Sequence, residues 1–473
     1  MKIPERLIGF VDFENTKYPF EFDSDSFSLR LYPPTVEIWQ DASSIRGLIP
    51  LTGKHDKKHE WITQLRLEGF ASDGKKVLFC LQNSRSNYHG FYSYPVNWYF
   101  YYSPQMQPNK IDGFSISGDI INYYFNPQQA LESVLHFSSD HTKLEKITVT
   151  SNKQVTESCG KYRIIPHVDA KVEVICYASA HTNSFSNPID ATSKMVTSFS
   201  IPVNIDTLVD AFRYTLCFLK YVTYRNNHGI YFAPVFCMNP SGLRDYAGLL
   251  VFEKQEKTEQ HKSKKESIIS HQVLRHRAGL LLTNIKNEKL GFQHICDSID
   301  DTRKYPSSRI IMIFAAFERE YRNIYGTDSD RSEEYISTKD EIVKLIDNYT
   351  QTQHGKKRSY SKQLSKFVQN RDSSFEFNLK KALKECEDIM LPFVRIKYGG
   401  NYLDVIDGIC ERMGIVRNGI AHSRLDLRFD AIHLCDIKIV EELLYAIRLK
   451  KCHLNTSEIQ KSINCVFREN IAF

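Results

Sequence analysis

The sequence predicts an α+β protein in which a β-rich N-terminal sandwich or barrel-like region precedes an all-α C-terminal helical bundle. In residues 1–253, short runs rich in Val, Ile, Tyr and Phe alternate with turn residues, a pattern typical of strands. Further along, apolar residues recur at three- and four-residue steps, which indicates amphipathic helices. We therefore predict a sensor or regulatory domain at 1–253, a connector with helices at 254–306 and a helical domain at 307–473.

The predicted strands are short and closely spaced, which favours a sandwich or a barrel. The dense aromatic run from Phe91 to Tyr102 fits packing in a core and across strands, with a recognition surface as the alternative. One helix, Ile205 to Tyr224, should start at an Asp206–Thr207 cap and pack on the sheet. The predicted strands are Phe27 to Tyr32, Ile62 to Phe70, Lys76 to Leu81, Phe91 to Tyr102, Lys110 to Phe125, Lys143 to Thr150, Tyr162 to Tyr177 and Met195 to Val203.

Helical periodicity begins after a charged stretch without hydrophobic residues at 254–267, which we interpret as an exposed connector. A strong amphipathic helix follows Ser307 and Ser308, and its buried face should hold Ile310, Phe314, Phe317, Tyr321 and Ile324. The other predicted helices are Ile268 to Asn284, Lys286 to Lys304, Thr338 to Tyr349, Lys362 to Gln369, Phe375 to Leu391, Asn401 to Ile415 and, as the last one, His433 to Arg448.

The stretch 416–423, with the sequence VRNGIAHS, is the strongest functional signal in the chain. Arg417 and His422 lie five positions apart, and Asn418 directly follows the arginine. The helix before them can be capped by Asn401. Asn418 and Gly419 are expected to break or loosen that helix, so that His422 lies about one turn beyond Arg417.

Spacing alone is weak support, because Arg428 and His433 repeat it, as do Arg448 and His453. Those pairs lack both the following asparagine and the preceding amphipathic helix, so we interpret them as coincidences. At 416–423 the alternative is a surface arginine beside a partly packed histidine at a helix end.

An imidazole beside a guanidinium supplies what metal-free cleavage of a phosphodiester needs. Histidine moves protons at neutral pH, and arginine forks onto phosphate oxygens. RNA carries a 2′-hydroxyl next to each scissile phosphate, whereas DNA lacks this internal nucleophile. The expected substrate is therefore RNA, with His422 as the proton carrier, Arg417 as the phosphate ligand and Asn418 orienting one of them by hydrogen bonds.

The pattern Arg417-Asn418-x-x-x-His422 at a helix end, within a helical region, resembles the signature of the HEPN (higher eukaryotes and prokaryotes nucleotide-binding) domain. The long β-rich region before it, opening with a strand at 7–11, resembles the layout of ApeA-type abortive-infection proteins of bacteria. This resemblance implies a cytoplasmic antiphage effector whose HEPN domain cuts RNA, and whose N-terminal region senses a phage-derived trigger or restrains the activity. It also implies an acidic residue near the site, for which Glu318 is the candidate, with a solvent-facing salt bridge as its alternative role.

HEPN domains typically pair so that two motifs share one cleft, and the resemblance therefore implies a homodimer. We expect the partner to lie against the helix of Asn401 to Ile415. Ile409, Cys410, Met413 and Val416 span a face that looks too wide for one small bundle, which would leave apolar surface for a second copy.

The distribution of charge along the chain bears on where RNA could bind. The net charge is only +6, but residues 356–397 hold eleven Lys and Arg against five Asp and Glu. A solvated helix face is the alternative to RNA binding for this cluster. The candidate RNA-binding residues are Lys356, Lys357, Arg358, Lys362 and Lys366.

Eleven cysteines occur singly, without a Cys-x-x-Cys pair, which suits reduced thiols in a cytosol. We predict no membrane association, because no apolar signal core and no run of eighteen apolar residues occurs. No cofactor and no metal is predicted, since the pair with ligand spacing, His55 and His59, lies in a charged stretch that reads as a loop.

Two other functional classes remain open at this stage. One is a HEPN-like RNA-binding or scaffold protein whose Arg417 and His422 hold only a phosphate or a dimer contact. The other is a sensor of phage components that acts through a partner. Incubation with RNA in EDTA separates the enzyme from both.

Overall fold

The computed structural model describes residues 3–13, 16–32, 66–82, 86–88, 91–137, 144–151, 154–180, 189–254, 267–298, 300–326, 333–370, 374–421 and 429–472. They form two compact units, Met1–Leu216 with Gly229–Thr258 and Cys217–His228 with Glu259–Phe473. The first unit is built mainly of strands and the second of helices, which confirms the predicted α+β class. The described part of the predicted connector, residues 267–298 and 300–306, is counted with the helical unit.

Six strands of the first unit close into an antiparallel barrel, in the order β7-β3-β2-β1-β4-β5 and back to β7. Its interior is aromatic: the ring centroids of Phe22 and Tyr99 are 4.9 Å apart, and those of Phe20 and Phe79 are 5.3 Å apart. The strands are β1 (Arg6–Phe13), β2 (Thr16–Asp23), β3 (Ser28–Leu31), β4 (Arg66–Ala71), β5 (Lys76–Leu81), β6 (Ser86–Tyr88), β7 (Phe91–Tyr102), β8 (Ile111–Ser117), β9 (Leu131–Phe137), β10 (Leu144–Ser151), β11 (Val155–Ile165), β12 (Val168–Ala180), β13 (Ile189–Val203), β14 (Phe232–Met238) and β15 (Arg244–Phe252).

The long strand β7 joins the barrel to the rest of the sheet. Its residues 98–102 pair with β5 on one side and with β15 on the other. From β15 the sheet continues through β14, β8, β13, β12 and β11. The predicted aromatic run thus lies in the core, since Trp98, Tyr99, Phe100 and Tyr102 are all buried.

Two helices accompany the sheet, α1 (Asp119–Tyr124) and α2 (Ile205–Thr223). As predicted, α2 packs on the sheet, with the ring of Phe212 5.8 Å from that of Phe114 and 5.1 Å from that of Phe252. Its cap differs from the prediction: the Asn204 side chain accepts from the backbone N–H of Thr207, while Asp206 is bound by Arg66.

Several strand predictions were wrong in detail. Residues 110–125 are not one strand, because Gly118, with φ of 139°, turns the chain from β8 into α1. Residues 162–177 form a hairpin of β11 and β12 that turns at Pro166 and His167. Strands β2, β6, β9, β14 and β15 were not predicted.

The second unit contains α3 (His271–Leu274), α4 (Ala278–Lys286), α5 (Ser307–Tyr325), α6 (Glu333–Thr352), α7 (Gly355–Asn370), α8 (Phe375–Glu385), α9 (Glu387–Tyr398), α10 (Tyr402–Ala421), α11 (Ala431–Lys451) and α12 (Thr456–Phe467). Three predictions fail here. The described residues of 286–304 are largely irregular, the helix predicted from Phe375 divides at Cys386, and α12 follows the helix that was expected to be the last.

Helix α11 forms the centre of this unit, and nearly all its side chains from 436 to 449 are buried. Its buried acidic side chains are each paired with a cation from a neighbouring helix: Arg309 with Glu441 at 2.8 Å, Lys397 with Glu442 at 2.9 Å and Arg412 with Asp436 at 2.7 Å. Burial raises the pKa of the Glu442 carboxyl to about 8, against the opposing effect of Lys397.

All eleven cysteines are free thiols. Among the described residues, no helix is both long enough and apolar enough to cross a membrane.

Candidate functional site

The motif begins inside α10, which continues without a break through Asn418 and Gly419 to Ala421. The prediction that these two residues break the helix was therefore wrong. A helical glycine costs about 1 kcal/mol relative to alanine. Burial of Val416 and Ile420 one turn apart on the same face offsets that cost and holds the last turn in place. The predicted cap is present, since the Asn401 side chain accepts from the N–H of Leu403 at 2.9 Å.

Arg417 contacts Glu318, although 99 positions separate them in the sequence. Oε1 of Glu318 lies 3.1 Å from both Nε and Nη2 of the guanidinium. The two side chains keep 39% and 21% of their surface exposed, so the pair lies at the surface of the unit. The carboxylate thus takes the Nε side of the guanidinium, and no described side chain is hydrogen-bonded or ion-paired to Nη1.

A second arginine completes this cluster. Nη2 of Arg322, one turn after Glu318 on α5, lies 3.5 Å from Oε2 of Glu318. Arg319, which directly follows Glu318 in the sequence, instead donates to the backbone carbonyl of Glu288. The three side chains Glu318, Arg322 and Arg417 together carry a net charge of +1. Sequence reasoning missed Arg322, although its i,i+4 spacing to Glu318 is a recognised signal of pairing.

Close packing of α8 against α10 places a further acidic side chain near the motif. A Cβ at Gly414 would lie 3.5 Å from the Cβ of Glu376 and 3.6 Å from its Oε2. Gly414 is one turn before Arg417 on α10. A larger residue at position 414 would push against α8 and shift the turn that carries Arg417.

Of the other two predicted catalytic residues, Asn418 and His422, the structure describes only Asn418. Asn418 is exposed to solvent on the last turn of α10. His422 directly follows Ala421, the last residue of α10, and it lies outside the described residues. Of the predicted set, the structure therefore brings together Arg417 and Glu318.

The five predicted RNA-binding residues all lie on α7 and are all exposed. None of the five is hydrogen-bonded or ion-paired with Arg417 or Glu318. Helix α7 is instead paired with α6, through bonds from Lys339 to the carbonyl of Gln369 and from Ser365 to Asp347.

The predicted partner surface on α10 is absent, because Ile409, Cys410, Met413 and Val416 are all buried within the chain. Helices α8, α9, α5 and α11 surround α10 and cover a wider face than the sequence indicated. The apolar side chains that do remain exposed on α10 are Leu403 and Ile415. The homodimer itself stays a prediction, without this support.

No metal site accompanies the cluster within the described ranges, where no three His, Cys, Asp or Glu side chains form a possible ligand group. The pair His55 and His59 lies outside those ranges.

The fold and the site define an α+β chain with a helical unit whose surface carries an Arg–Glu–Arg cluster at the end of α10. No known protein family, curated protein or solved structure matches this chain.

Proposed function

We propose that this chain is a metal-independent endoribonuclease of the HEPN type, acting in the cytoplasm as an antiphage effector of the ApeA kind. The observation that carries the proposal is the contact of Glu318 with Arg417, which holds a half-exposed guanidinium at the end of the helix that leads to His422. The β-rich unit would sense a phage-derived trigger or restrain the nuclease. Eleven free thiols suit the reducing compartment that this role requires.

The reaction follows from the groups in the motif. A neutral imidazole of His422 takes the proton of the ribose 2′-hydroxyl, and the 2′-oxygen forms a bond to the adjacent phosphorus. The bond from phosphorus to the 5′-oxygen breaks, and that oxygen takes up a proton donated by a second imidazole, which the shared cleft of a homodimer would supply. Arg417 stabilises the charge that grows on the phosphoryl oxygens. The products are a 2′,3′-cyclic phosphate and a 5′-hydroxyl end.

Glu318 has a positioning role in this scheme. An arginine side chain at a surface has many rotamers, and fixing one of them before the substrate arrives lowers the entropic cost of catalysis. Contact of one carboxylate oxygen with both Nε and Nη2 fixes the plane of the Arg417 guanidinium. Arg322 offsets the negative charge of Glu318, so the cluster as a whole still attracts phosphate. Lys356, Lys357, Arg358, Lys362 and Lys366 would hold RNA more distantly along α7.

The direct test is incubation of the purified protein with total cellular RNA in EDTA, followed by analysis of the product ends. We expect cleavage that yields 2′,3′-cyclic phosphate or 3′-phosphate ends with 5′-hydroxyl partners. Arg417→Ala and His422→Ala should each lower cleavage at least about 100-fold while leaving soluble, folded protein. Arg395→Ala is the matched control, since Arg395 is exposed on α9 and outside the cluster. Products with 5′-phosphate ends, or an absolute need for Mg²⁺, would contradict the proposal.

A second function is favoured by the same contact. The Arg417–Glu318 pair links α10 to α5, so it has the form of a structural staple in a non-catalytic HEPN-like RNA-binding or scaffold protein. In that case Arg417→Ala should lower the free energy of unfolding, and the protein should bind RNA without cutting it. Retained stability with lost cleavage separates the enzyme from the scaffold.

A shared cleft in a homodimer is part of the proposal, because one arginine and one histidine supply few proton carriers. Two imidazoles would let one accept a proton while the other donates one. Mixing Arg417→Ala subunits with His422→Ala subunits tests this point. Partial recovery of cleavage in the mixture supports a shared cleft, and complete inactivity of a verified mixed dimer contradicts it.

A further inference from the structure

Helices α6 and α7 form an antiparallel hairpin that buries almost nothing of its own. Among its described residues only Thr350, Ser361 and Ser365 are buried, and all three are polar. Lys339 donates to the carbonyl of Gln369 at 2.7 Å, and Ser365 donates to Asp347 at 2.8 Å. A pair of helices without a buried hydrophobic residue lacks the packing from which helices in proteins gain most of their stability. We therefore expect another surface to pack against the hairpin and stabilise it.

Helix α6 carries two stripes rather than one. Lys339, Val343 and Ile346 are half-buried and, with Thr350, face α7. A second stripe follows the three- and four-residue steps of a heptad seam and points to solvent. It consists of Thr338, Ile342, Leu345 and Tyr349. At about 100° per residue, this outer stripe lies roughly 90° around the helix from the inner one.

Helix α7 repeats this arrangement. Its inner stripe is Ser361, Ser365 and Val368, and its outer stripe is Tyr360, Leu364 and Phe367. The outer stripe is displaced from the inner one by roughly 90° in the same rotational sense as in α6. Because the two helices are antiparallel, equal displacements in the same sense bring both outer stripes to the same side of the hairpin.

The two outer stripes form one layered apolar face. The bonds between the helices bring residues 342, 345 and 349 of α6 roughly level with residues 367, 364 and 360 of α7. Each level therefore pairs two large side chains, which is half of a layer in a four-helix bundle. The members of this hairpin face are Ile342, Leu345, Tyr349, Tyr360, Leu364 and Phe367, and between 43% and 68% of each is exposed.

The size of the hairpin face fits a protein interface. At roughly 200 Å² for a whole aromatic side chain, its three rings alone expose about 350 Å². The three aliphatic side chains bring the total well above the few hundred Å² that a monomer ordinarily leaves exposed. It approaches the roughly 800 Å² that each partner contributes to a stable protein complex.

The opposite charges of α6 and α7 indicate that the partner is a second copy of the hairpin. Helix α6 carries five acidic and two basic side chains, whereas α7 carries five basic side chains and no acidic one. A second copy of the hairpin, related by a two-fold axis parallel to the helices, places its α7 opposite the first α6. Every neighbouring pair in the resulting bundle then joins an acidic helix to a basic one. An axis perpendicular to the helices would instead place α6 on α6 and α7 on α7, and like charges would repel.

RNA is less suited to bind the hairpin face than a second copy of the hairpin. Arg358, Lys362 and Lys366 recur at four-residue steps along α7, roughly opposite Tyr360, Leu364 and Phe367 around the helix. The basic stripe therefore remains open to a polyanion when the hairpin face is covered.

We propose that the α6–α7 hairpin is a homodimerisation element, which docks face to face on the same hairpin of a second copy to form a four-helix bundle around an axis parallel to the helices. The proposal does not rest on the ribonuclease chemistry, because its readout is the mass of the protein without RNA.

Sedimentation equilibrium of the full chain tests the proposal. We expect a dimer, and Leu345→Glu or Leu364→Glu should raise its dissociation constant at least about 100-fold by placing charges in the apolar layer. Both leucines are exposed in the single chain, so circular dichroism should be unchanged apart from the hairpin. Leu403→Glu, at an exposed leucine of α10, is the matched control and should leave the dimer intact. A monomeric wild-type protein, or a dimer that Leu345→Glu and Leu364→Glu leave intact, would overturn the proposal.

Engineered cysteines test the orientation of the axis. In the proposed bundle, position 345 of one copy lies level with position 364 of the other. Mild oxidation of a mixture of Leu345→Cys and Leu364→Cys proteins should therefore give a cross-linked heterodimer, and the wild-type protein with its native thiols should give none. Efficient cross-linking of Leu345→Cys protein to itself would contradict the parallel axis.

Discussion

Replacing Glu318 with glutamine separates a positioning role from a structural one, because the two side chains have the same length and differ in charge. Oε1 lies 3.1 Å from two nitrogens of Arg417, and both side chains remain partly exposed. Ion pairs with this exposure stabilise proteins by about 0.2–1 kcal/mol. We therefore expect the free energy of unfolding to fall by no more than about 1 kcal/mol in Glu318→Gln.

The expected effect on cleavage is larger than the effect on stability. Removing Arg417 itself should lower the single-turnover rate by about 10²–10³, as for other groups that stabilise transition-state charge. Glu318→Gln leaves the guanidinium present but less firmly oriented, so we expect a loss of about tenfold, equivalent to about 1.4 kcal/mol. The double variant Glu318→Gln/Arg417→Ala should be no slower than Arg417→Ala alone, because Glu318 acts only through Arg417.

Single-turnover cleavage of an RNA oligonucleotide in EDTA and urea unfolding of the same samples provide the two measurements. Glu411→Gln is the matched control, as Glu411 is exposed on α10 and makes no contact with Arg417. It should change neither quantity. The reasoning is refuted if Glu318→Gln cleaves at the wild-type rate, or if its unfolding free energy falls by several kcal/mol and its cleavage falls in proportion.

Two further predictions concern the stability of the helical unit. Arg309→Met should lower the unfolding free energy by about 3–5 kcal/mol, because it leaves the buried Glu441 carboxylate without its cation. Arg322→Met, which removes a partly exposed ion pair, should lower it by less than about 1 kcal/mol. Equal losses of the two variants in urea unfolding would contradict this. Burial lowers the pKa of His294 from 6.5 to about 3, so between these values the unfolded chain binds more protons than the folded one. Stability should therefore be lost as the pH falls below 6.5, by up to about 1.4 kcal/mol per pH unit from this group. Urea titrations at several pH values should show a shallower loss in His294→Gln, and an unchanged slope would contradict the assignment.

Much of the fold was predictable where local pattern and tertiary burial agree. Strands β5 and β7 begin and end at the predicted residues, because turn chemistry flanks runs of β-branched and aromatic residues. Helix α12 was missed even though its start carries a local signal. Asn455 and Glu458 form a capping box, which the sequence shows as an Asn followed three residues later by a Glu.

The candidate site was only partly predictable. The motif itself is a local pattern, and the approach of an acidic residue came from a family resemblance rather than from the residues alone. No periodicity links Glu318 to Arg417, since their contact depends on how α5 and α10 pack. The continuation of α10 through Asn418 and Gly419 has the same origin, because burial of Val416 and Ile420 outweighs two residues of low helix propensity.

An excess of apolar residues on a helix indicates a partner only after the packing within the chain is known. The apolar face of α10 looked too wide for one bundle, yet neighbouring helices bury Ile409, Cys410, Met413 and Val416 completely. Helix α11 shows that the sequence pattern can also understate burial, because Glu441 and Glu442 are buried although the amphipathic pattern of the helix does not predict it. Among the helices that the structure describes, only the α6–α7 hairpin combines a heptad-spaced apolar face with the absence of any buried hydrophobic residue. That combination, rather than apolar content, is what an unfilled interface requires.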